Sequence, residues 1–251
     1  MGSSIPGGRE ARVLVCVLAA GASSRMGFPK LLAAFPGPDG ADTCLLAHAC
    51  ASALDSRAAQ VAVVTGAYAD EMEPLLEELC DRFGESRQYI EGTGPADSAS
   101  ARMPRHVELR NDAWSQGQAT SVRVAAQYAR ALDFDAVIFM AADQPFVEAE
   151  HLDALIAAFE DMRATEAAGA AATPCALRSR CGTHQGNPCL FPRETLPLFE
   201  TLTGDEGARQ LFRSEVLVVV PIDIPPVPGH DVFCDLDTPD EFERFKALRS
   251  M

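Results

Sequence analysis

No stretch of this 251-residue sequence approaches the roughly 20 consecutive apolar residues that span a bilayer, and its opening, MGSSIPGGRE, lacks the apolar core of a secretory signal. The expectation is a cytoplasmic protein. Positive charge is also scarce. The 21 Lys and Arg residues face 36 Asp and Glu, a formal charge of −15. That balance repels nucleic acid and anionic lipid surfaces, so a polyanionic ligand needs a local cationic patch. The eight cysteines never form C-x-x-C and mostly lie inside apolar segments, which argues against a redox motif and a disulfide framework. One group stands apart: Cys175, Cys181, His184 and Cys189 supply four soft ligands within 15 residues. Their irregular spacing lacks the close pairs of zinc knuckles, and buried free thiols are the competing reading. Neither G-x-G-x-x-G nor G-x-x-x-x-G-K-[ST] occurs, nor a G-x-S-x-G elbow or H-E-x-x-H, and there is no internal repeat or heptad pattern.

What is present is an alternation. Short apolar runs at Val13–Leu18, Val61–Val64, Ala136–Ala141 and Val216–Val220 predict strands covered on both faces. Amphipathic stretches at Thr43–Leu54, Asp70–Phe83, Thr120–Leu132, Glu148–Arg163 and Pro239–Leu248 predict helices, the first behind an Asp42/Thr43 cap. Strand following helix through most of the chain predicts a mainly parallel α/β sheet, one domain over residues 12–251 behind a disordered segment 1–11. Two stretches read as surface excursions: FPGPDGAD from Phe35, and a mobile loop from Glu91 to Arg105.

In such sheets ligands bind beyond the carboxyl ends of the strands. Three constellations fall there. In VLVCVLAAGASSRMGFPKLL an apolar run stops at Ala19, Ala20 and Gly21, whose small size lets a ligand reach main-chain N–H groups, and Arg25 and Lys30 follow to neutralise phosphate oxygens. An ordinary turn with two solvated cations is the plainer reading. In VIFMAADQPF the strand ends in Asp143, placed over the crevice to hold a divalent cation, unless it merely caps the next turn. In CDLDTPDEFERF, Asp235 and Asp237 project from the same side of an extended segment, and two parallel carboxylates repel unless a cation joins them. Asp240 and Glu241 are accounted for by the first turn of the last helix. A further stretch, NDAWSQGQATS, can wrap a nucleobase, with Gly117 admitting the ring and Gln116 or Ser121 reading its edge; Trp114 reads as a packing anchor. His184 in HQGNP is the one candidate base, against the ordinary reading of a lone exposed histidine.

Taken in order, LAAGASSRMGFPK, AADQP, GNP, GDEGARQLF and DLDTPDEF resemble the molybdopterin nucleotidyltransferase family, which includes molybdenum cofactor cytidylyltransferase and its guanylyl relative. The resemblance runs from about residue 12 to 248. It implies a Rossmann-like three-layer α/β/α sandwich with a mixed, mainly parallel sheet, of the nucleotide-diphospho-sugar transferase type. It implies that Leu18, Ala19, Ala20, Gly21, Ser23 and Ser24, with Arg25 and Lys30, bind the nucleotide, assisted by Gln116, Gly117 and Ser121. Arg25, Lys30 and Asp143 take catalytic roles, and Asp143 with Asp237 holds Mg²⁺, Asp235 being a weaker third ligand. LAAG in place of LAGG points to CTP as donor. Gln118 stands where the family often has Met, and both excursions are longer than usual.

The reaction so implied transfers CMP from CTP to the terminal phosphate of molybdopterin with release of pyrophosphate, with a molybdoenzyme as maturation partner. An acceptor that is already anionic needs little base catalysis, which suits a sequence without an obvious general base. The rival readings are a guanylyltransferase or sugar-phosphate nucleotidyltransferase, and a non-catalytic maturation chaperone that binds nucleotide or cofactor.

Overall fold

The computed structural model describes residues 9–37, 40–82, 89–91, 104–167, 174–214 and 216–249. In chain order its strands are β1 (Val13–Leu18), β2 (Ala34–Pro36), β3 (Asp42–Cys44), β4 (Gln60–Thr65), β5 (Tyr89–Glu91), β6 (His106–Arg110), β7 (Ala136–Ala141), β8 (Cys175–Cys181), β9 (His184–Pro192) and β10 (Val218–Asp223). The helices are α1 (Leu45–Asp55), α2 (Ala69–Arg82), α3 (Gln118–Ala131), α4 (Ala149–Ala167), α5 (Arg209–Arg213) and α6 (Pro239–Arg249), joined by short 3₁₀ segments.

Strand β1 is apolar at every position because each of its faces meets a separate core. Val13, Val15 and Val17 pack on one side with residues of α1, α2, α4 and α6, whereas Leu14 and Cys16 pack on the other with α3 and the 3₁₀ run Arg193–Thr201. Alternate side chains of a strand point to opposite faces, so this division is the three-layer α/β/α arrangement seen residue by residue. The sheet has eight strands in the order β10-β8-β9-β7-β1-β4-β6-β5. Only β9 runs against the rest, antiparallel to both β7 and β8. The sheet is therefore mixed and mainly parallel, as expected.

At its centre β1 and β7 lie in parallel register with Leu18 opposite Ala141, so both chains leave the sheet at the same end. The residues that follow them, Ala19 onward and Ala142 onward, are brought together by that register alone.

Several boundaries differ from expectation. Helix α1 starts at Leu45 rather than Thr43 because Asp42–Cys44 pairs antiparallel with Ala34–Pro36, keeping the backbone extended through Cys44 at φ −138° and ψ 167°. The Asp42/Thr43 cap is therefore not formed, and the two ends of FPGPDGAD enter a short antiparallel pair instead. The last predicted strand moves to Val218–Asp223, an edge position where Pro221 is tolerated. Strands β6, β8 and β9 escaped prediction because HVELR, CALRSRC and HQGNPCLFP carry buried or bridging polar groups that break the apolar pattern. Glu108 of β6, for example, is 1% exposed and accepts a hydrogen bond from Thr65 Oγ1 at 2.8 Å. Of the segment 1–11 expected to be disordered, residues 9–11 are described: Arg9 pairs with Asp135 at 3.1 Å, and Ala11 N–H donates to Glu160. Residues 1–8, and most of the loop expected from Glu91 to Arg105, lie outside the described residues. Among the described residues no helix is long and apolar enough to cross a membrane.

Candidate active site

The loop after β1 is fixed at both ends and open in the middle. Ala19 still belongs to the sheet: its N–H donates to Val64 O at 2.9 Å and its side chain is 1% exposed. The Ala19 amide is thus spent on β4. From Gly21 the chain turns away, with Ser23 at φ +50°, and Met26 N–H closes the turn on Ser23 O at 2.9 Å. Tyr68 Oη–H donates to Ala22 O at 3.1 Å, and Met26 and Leu31 bury their side chains as anchors. Among the described residues the N–H groups of Gly21 to Arg25 donate to no protein acceptor. A run of unspent amides around a left-handed residue forms a concavity suited to an anion.

Lys30 lies at the floor of this loop. It is 9% exposed and donates to Asp143 Oδ2 at 2.6 Å, Asp237 Oδ1 at 3.1 Å and the Leu236 carbonyl at 2.9 Å. Arg25, still largely exposed, reaches the other oxygen of Asp237 at 2.9 Å. Residues 113 and 207 positions apart in sequence thus meet on one ammonium.

Asp237 is positioned by the start of α6. Glu241 Oε2 accepts from the N–H groups of Asp237 at 3.0 Å and Thr238 at 2.8 Å, while Glu241 N–H donates to Thr238 Oγ1 at 3.3 Å, a capping box. Leu236 N–H donates to Asp143 O at 3.2 Å, which ties the two acidic segments together. Burial works against ionisation of Asp237, but the hydrogen bond and charge of Lys30, joined by Arg25, hold its carboxyl below the usual range. Asp235 has the opposite fate. Burial and the neighbouring Asp143 push its carboxyl up, against the opposing Gln144 amide that donates to it at 2.8 Å.

These groups open onto a cavity of about 390 Å³. Its walls include Leu18, Ala20, Gly21, Ser23, Ser24, Arg25, Lys30, Gly117, Ser121, Asp143 and Asp237, so most of the nucleotide-binding set predicted from sequence converges on one space. Three predicted residues do not line it. Ala19 is in the core, Gln116 lies in an exposed 3₁₀ turn, and Asp235 lines an adjoining cavity instead.

Gly117 lines the same cavity. It has φ +108°, and a Cβ there would stand 2.7 Å from Asp205 Oδ1 and closer still to the Gly204 backbone. The room left by its missing side chain is taken by the Gly204–Asp205 turn. Ser121 accepts from Asn111 Nδ2 at 2.9 Å, which leaves its hydroxyl hydrogen for the cavity. Trp114 packs against the α3-side core and also lines the wall.

The adjoining cavity, also about 390 Å³, shares Leu18, Arg25, Gln118, Ala141, Asp143, Asp205 and Asp237 with the first, and adds Asn187, Arg209 and Asp235. Gln118, Asp205, Asn187 and Arg209 were missing from the sequence-derived set. The signal for three of them was in view, since GNP and GDEGARQLF had been singled out as motifs without being placed in the site. Gly66 was missed as well. A Cβ there would come within 2.8 Å of both Ala20 and Trp114, so its bareness lets the end of β4 pack beneath the loop.

Among the described residues no three His, Cys, Asp or Glu side chains stand together as a ready metal cage. This covers Cys175, Cys181, His184 and Cys189: Cys175 Sγ contacts Met162 Sδ at 3.4 Å, Cys189 is fully buried with its thiol raised to about 12 by burial, and His184 is exposed beside Asp231. It also covers the acidic trio, where the Lys30 ammonium occupies the space between Asp143 and Asp237. The donors nonetheless suit a hard divalent cation. They are carboxylate oxygens, and the burden that Asp143 places on Asp235 is one a cation would relieve.

Residues 15–219 match the MobA-like NTP transferase domain. The purine catabolism protein PucB of Bacillus subtilis (strain 168) is 28% identical over 169 residues, covering 64% of this chain and 75% of PucB. The crystal structure of Rv0371c from Mycobacterium tuberculosis H37Rv in complex with manganese has a TM-score of 0.56 at 22% identity, covering 94% of this chain and 99% of the other. Molybdopterin-guanine dinucleotide biosynthesis protein A of Archaeoglobus fulgidus has a TM-score of 0.54 at 17% identity, with 94% and 98% covered. The two structures share the fold, and the match over residues 15–219 settles the family: the chain belongs to the MobA-like NTP transferase domain family and is a nucleotidyltransferase.

Proposed function

We propose that this cytoplasmic enzyme transfers CMP from CTP to the terminal phosphate of molybdopterin, releasing pyrophosphate, with Mg²⁺ as its metal. The observation that carries the reading is the meeting of a phosphate-type loop, Arg25, Lys30, Asp143 and Asp237 on one cavity that continues into a second of equal size. A donor and an acceptor can then lie side by side across Asp143. The molybdenum cofactor assignment draws on the quoted motifs and on the likeness to the Archaeoglobus protein, and the LAAG sequence favours cytidine.

In this reading the amides of Gly21 to Arg25 take the triphosphate oxygens, and Arg25 swings from Asp237 to neutralise the charge that grows on the leaving pyrophosphate. Ser121 donates its hydroxyl toward the nucleoside. Arg209 and Asn187 receive the acceptor phosphate and align it for in-line attack on the α-phosphorus, a step in which positioning supplies most of the acceleration. Asp143 and Asp237 are the residues that would hold Mg²⁺, which when bound supplies charge neutralisation at the phosphates. A molybdoenzyme awaiting the finished cofactor is the partner this product requires.

The test is pyrophosphate release from CTP, GTP and UTP in the presence of Mg²⁺ and molybdopterin, beside thermal shifts with each nucleotide alone and with Mg²⁺. CTP should give release and the largest rise in melting temperature, because a ligand that binds the native state stabilises it by mass action. Release with GTP instead would make the chain a guanylyltransferase. Binding without release would make it a carrier.

A further inference from the structure

Lys30 is already saturated. An ammonium has three N–H donors, and Asp143, Leu236 O and Asp237 each accept one, at 2.6, 2.9 and 3.1 Å. The group is 9% exposed, so water does not substitute for those partners. It is also one of only two lysines in the chain, the other being Lys246 on α6, so at this position the sequence departs from the arginine it uses almost everywhere else for positive charge. The difference is chemical. Guanidinium is a planar fork, whereas ammonium is a compact point charge with tetrahedrally disposed donors that can be shared among several oxygens.

We propose that Lys30 is the resident counter-cation of Asp143 and Asp237, and that it yields these carboxylates to a divalent cation only when a triphosphate arrives to take up its ammonium. Metal and nucleotide then bind as a coupled pair. This rests on the nucleotidyltransferase reading of the site and adds to it how the site is loaded.

Charge accounting leads to this exchange. A divalent cation arriving alone meets carboxylates already paired with an ammonium, and to displace Lys30 it must strand that buried ammonium, which is strongly unfavourable. A triphosphate arriving alone can draw the ammonium away only by leaving Asp143 and Asp237 facing each other, with Asp235 adjacent. When both arrive, each carboxylate has the metal and the ammonium has a phosphate. The coupling is reciprocal, as binding linkage requires. Arg25 does not share this role, because its guanidinium is largely exposed and leaves Asp237 for water at little cost.

Two measurements test it. The first follows Mn²⁺ alone by electron paramagnetic resonance, titrated into the parent chain, Lys30→Met and the control Lys246→Met. Lys30→Met should bind Mn²⁺ at least about tenfold more tightly than the parent, and Lys246→Met should match the parent. Equal or weaker binding by Lys30→Met overturns the exchange. The second needs no variant at the site. With [¹⁵N]lysine labelling the chain shows two side-chain ammonium resonances, assigned by Lys246→Arg. Mg²⁺ alone should leave the Lys30 resonance in place, and Mg²⁺ with CTP or GTP should move it. Movement with Mg²⁺ alone overturns the proposal, as does a stationary resonance under a nucleotide that demonstrably raises the melting temperature. A chain that binds no nucleoside triphosphate at all overturns the functional reading as well, so the two failures are told apart.

Discussion

Replacing Gly117 by alanine should separate the roles of the loop before α3 from those of the helix itself. The added Cβ would stand 2.7 Å from Asp205 Oδ1 and nearer to the Gly204 backbone, which cannot move aside as the end of a flexible side chain would. The residue also sits at φ +108° and ψ 168°, a region that side-chain-bearing residues avoid. That conformation costs about 1–3 kcal/mol, and forcing an atom into a filled space costs a further ~1–3 kcal/mol. At roughly 2–4 °C per kcal/mol for a chain of this size, the melting temperature should fall by at least about 4 °C. Gly21→Ala is the matched control, because a Cβ there meets nothing within 4 Å and φ is not left-handed. Differential scanning calorimetry of both variants checks the difference. A Gly117→Ala protein that melts within about 1 °C of the parent would refute the claim that Gly117 holds the Gly204–Asp205 turn against the cavity wall.

Other outcomes follow from the same geometry. Asp143→Asn should lower pyrophosphate release at least about a hundredfold while the circular dichroism spectrum stays native; release at the parent rate removes Asp143 from the reaction. His151 is buried, and burial lowers its pKa; its Nδ1 accepts from Glu148 N–H at 2.8 Å, a bond that protonation destroys. Because the folded value lies below the ordinary 6.5, the stability this histidine contributes is complete above that pH and is lost as pH falls through the folded value. Denaturant titrations at pH 7.5 and 5.5 should therefore show a loss at the lower pH that His151→Gln reduces. Asp235 has the reverse sign: its folded value is raised, so ionisation above that value weakens the fold. The melting temperature of Asp235→Asn relative to the parent should be more favourable at pH 7.5 than at pH 4, and an equal difference at both would count against the crowding of Asp143 and Asp235.

The parts of this molecule that follow from pattern were legible, and those that follow from contact were not. Val13–Leu18 and Ala136–Ala141 stand as strands where the apolar runs placed them, since strands covered on both faces leave a continuous signature. Asp143 beyond β7 and Lys30 in the turn after β1 were likewise readable as chemistry beyond strand ends, whereas Asp237, ahead of α6, was joined to them by the resemblance. The HVELR strand was hidden because its acid is satisfied by Thr65, a partner 43 positions away that no local window includes. The closeness of Gly117 to the Gly204–Asp205 turn was hidden for a related reason: a glycine announces that something comes close without saying what. The bond from the Ala19 amide to Val64 O was likewise out of reach of any local pattern.

The carbonyl of Leu236 and the carboxylate of Asp237 come from the last helix's approach, yet they complete the surroundings of a lysine near the beginning of the chain. A nascent polypeptide still lacking that segment has neither acceptor to offer, and its loop after β1 carries a cation with two of its three partners absent. Synthesis from head to tail thus delivers these two acceptors 206 and 207 residues after the lysine they hold.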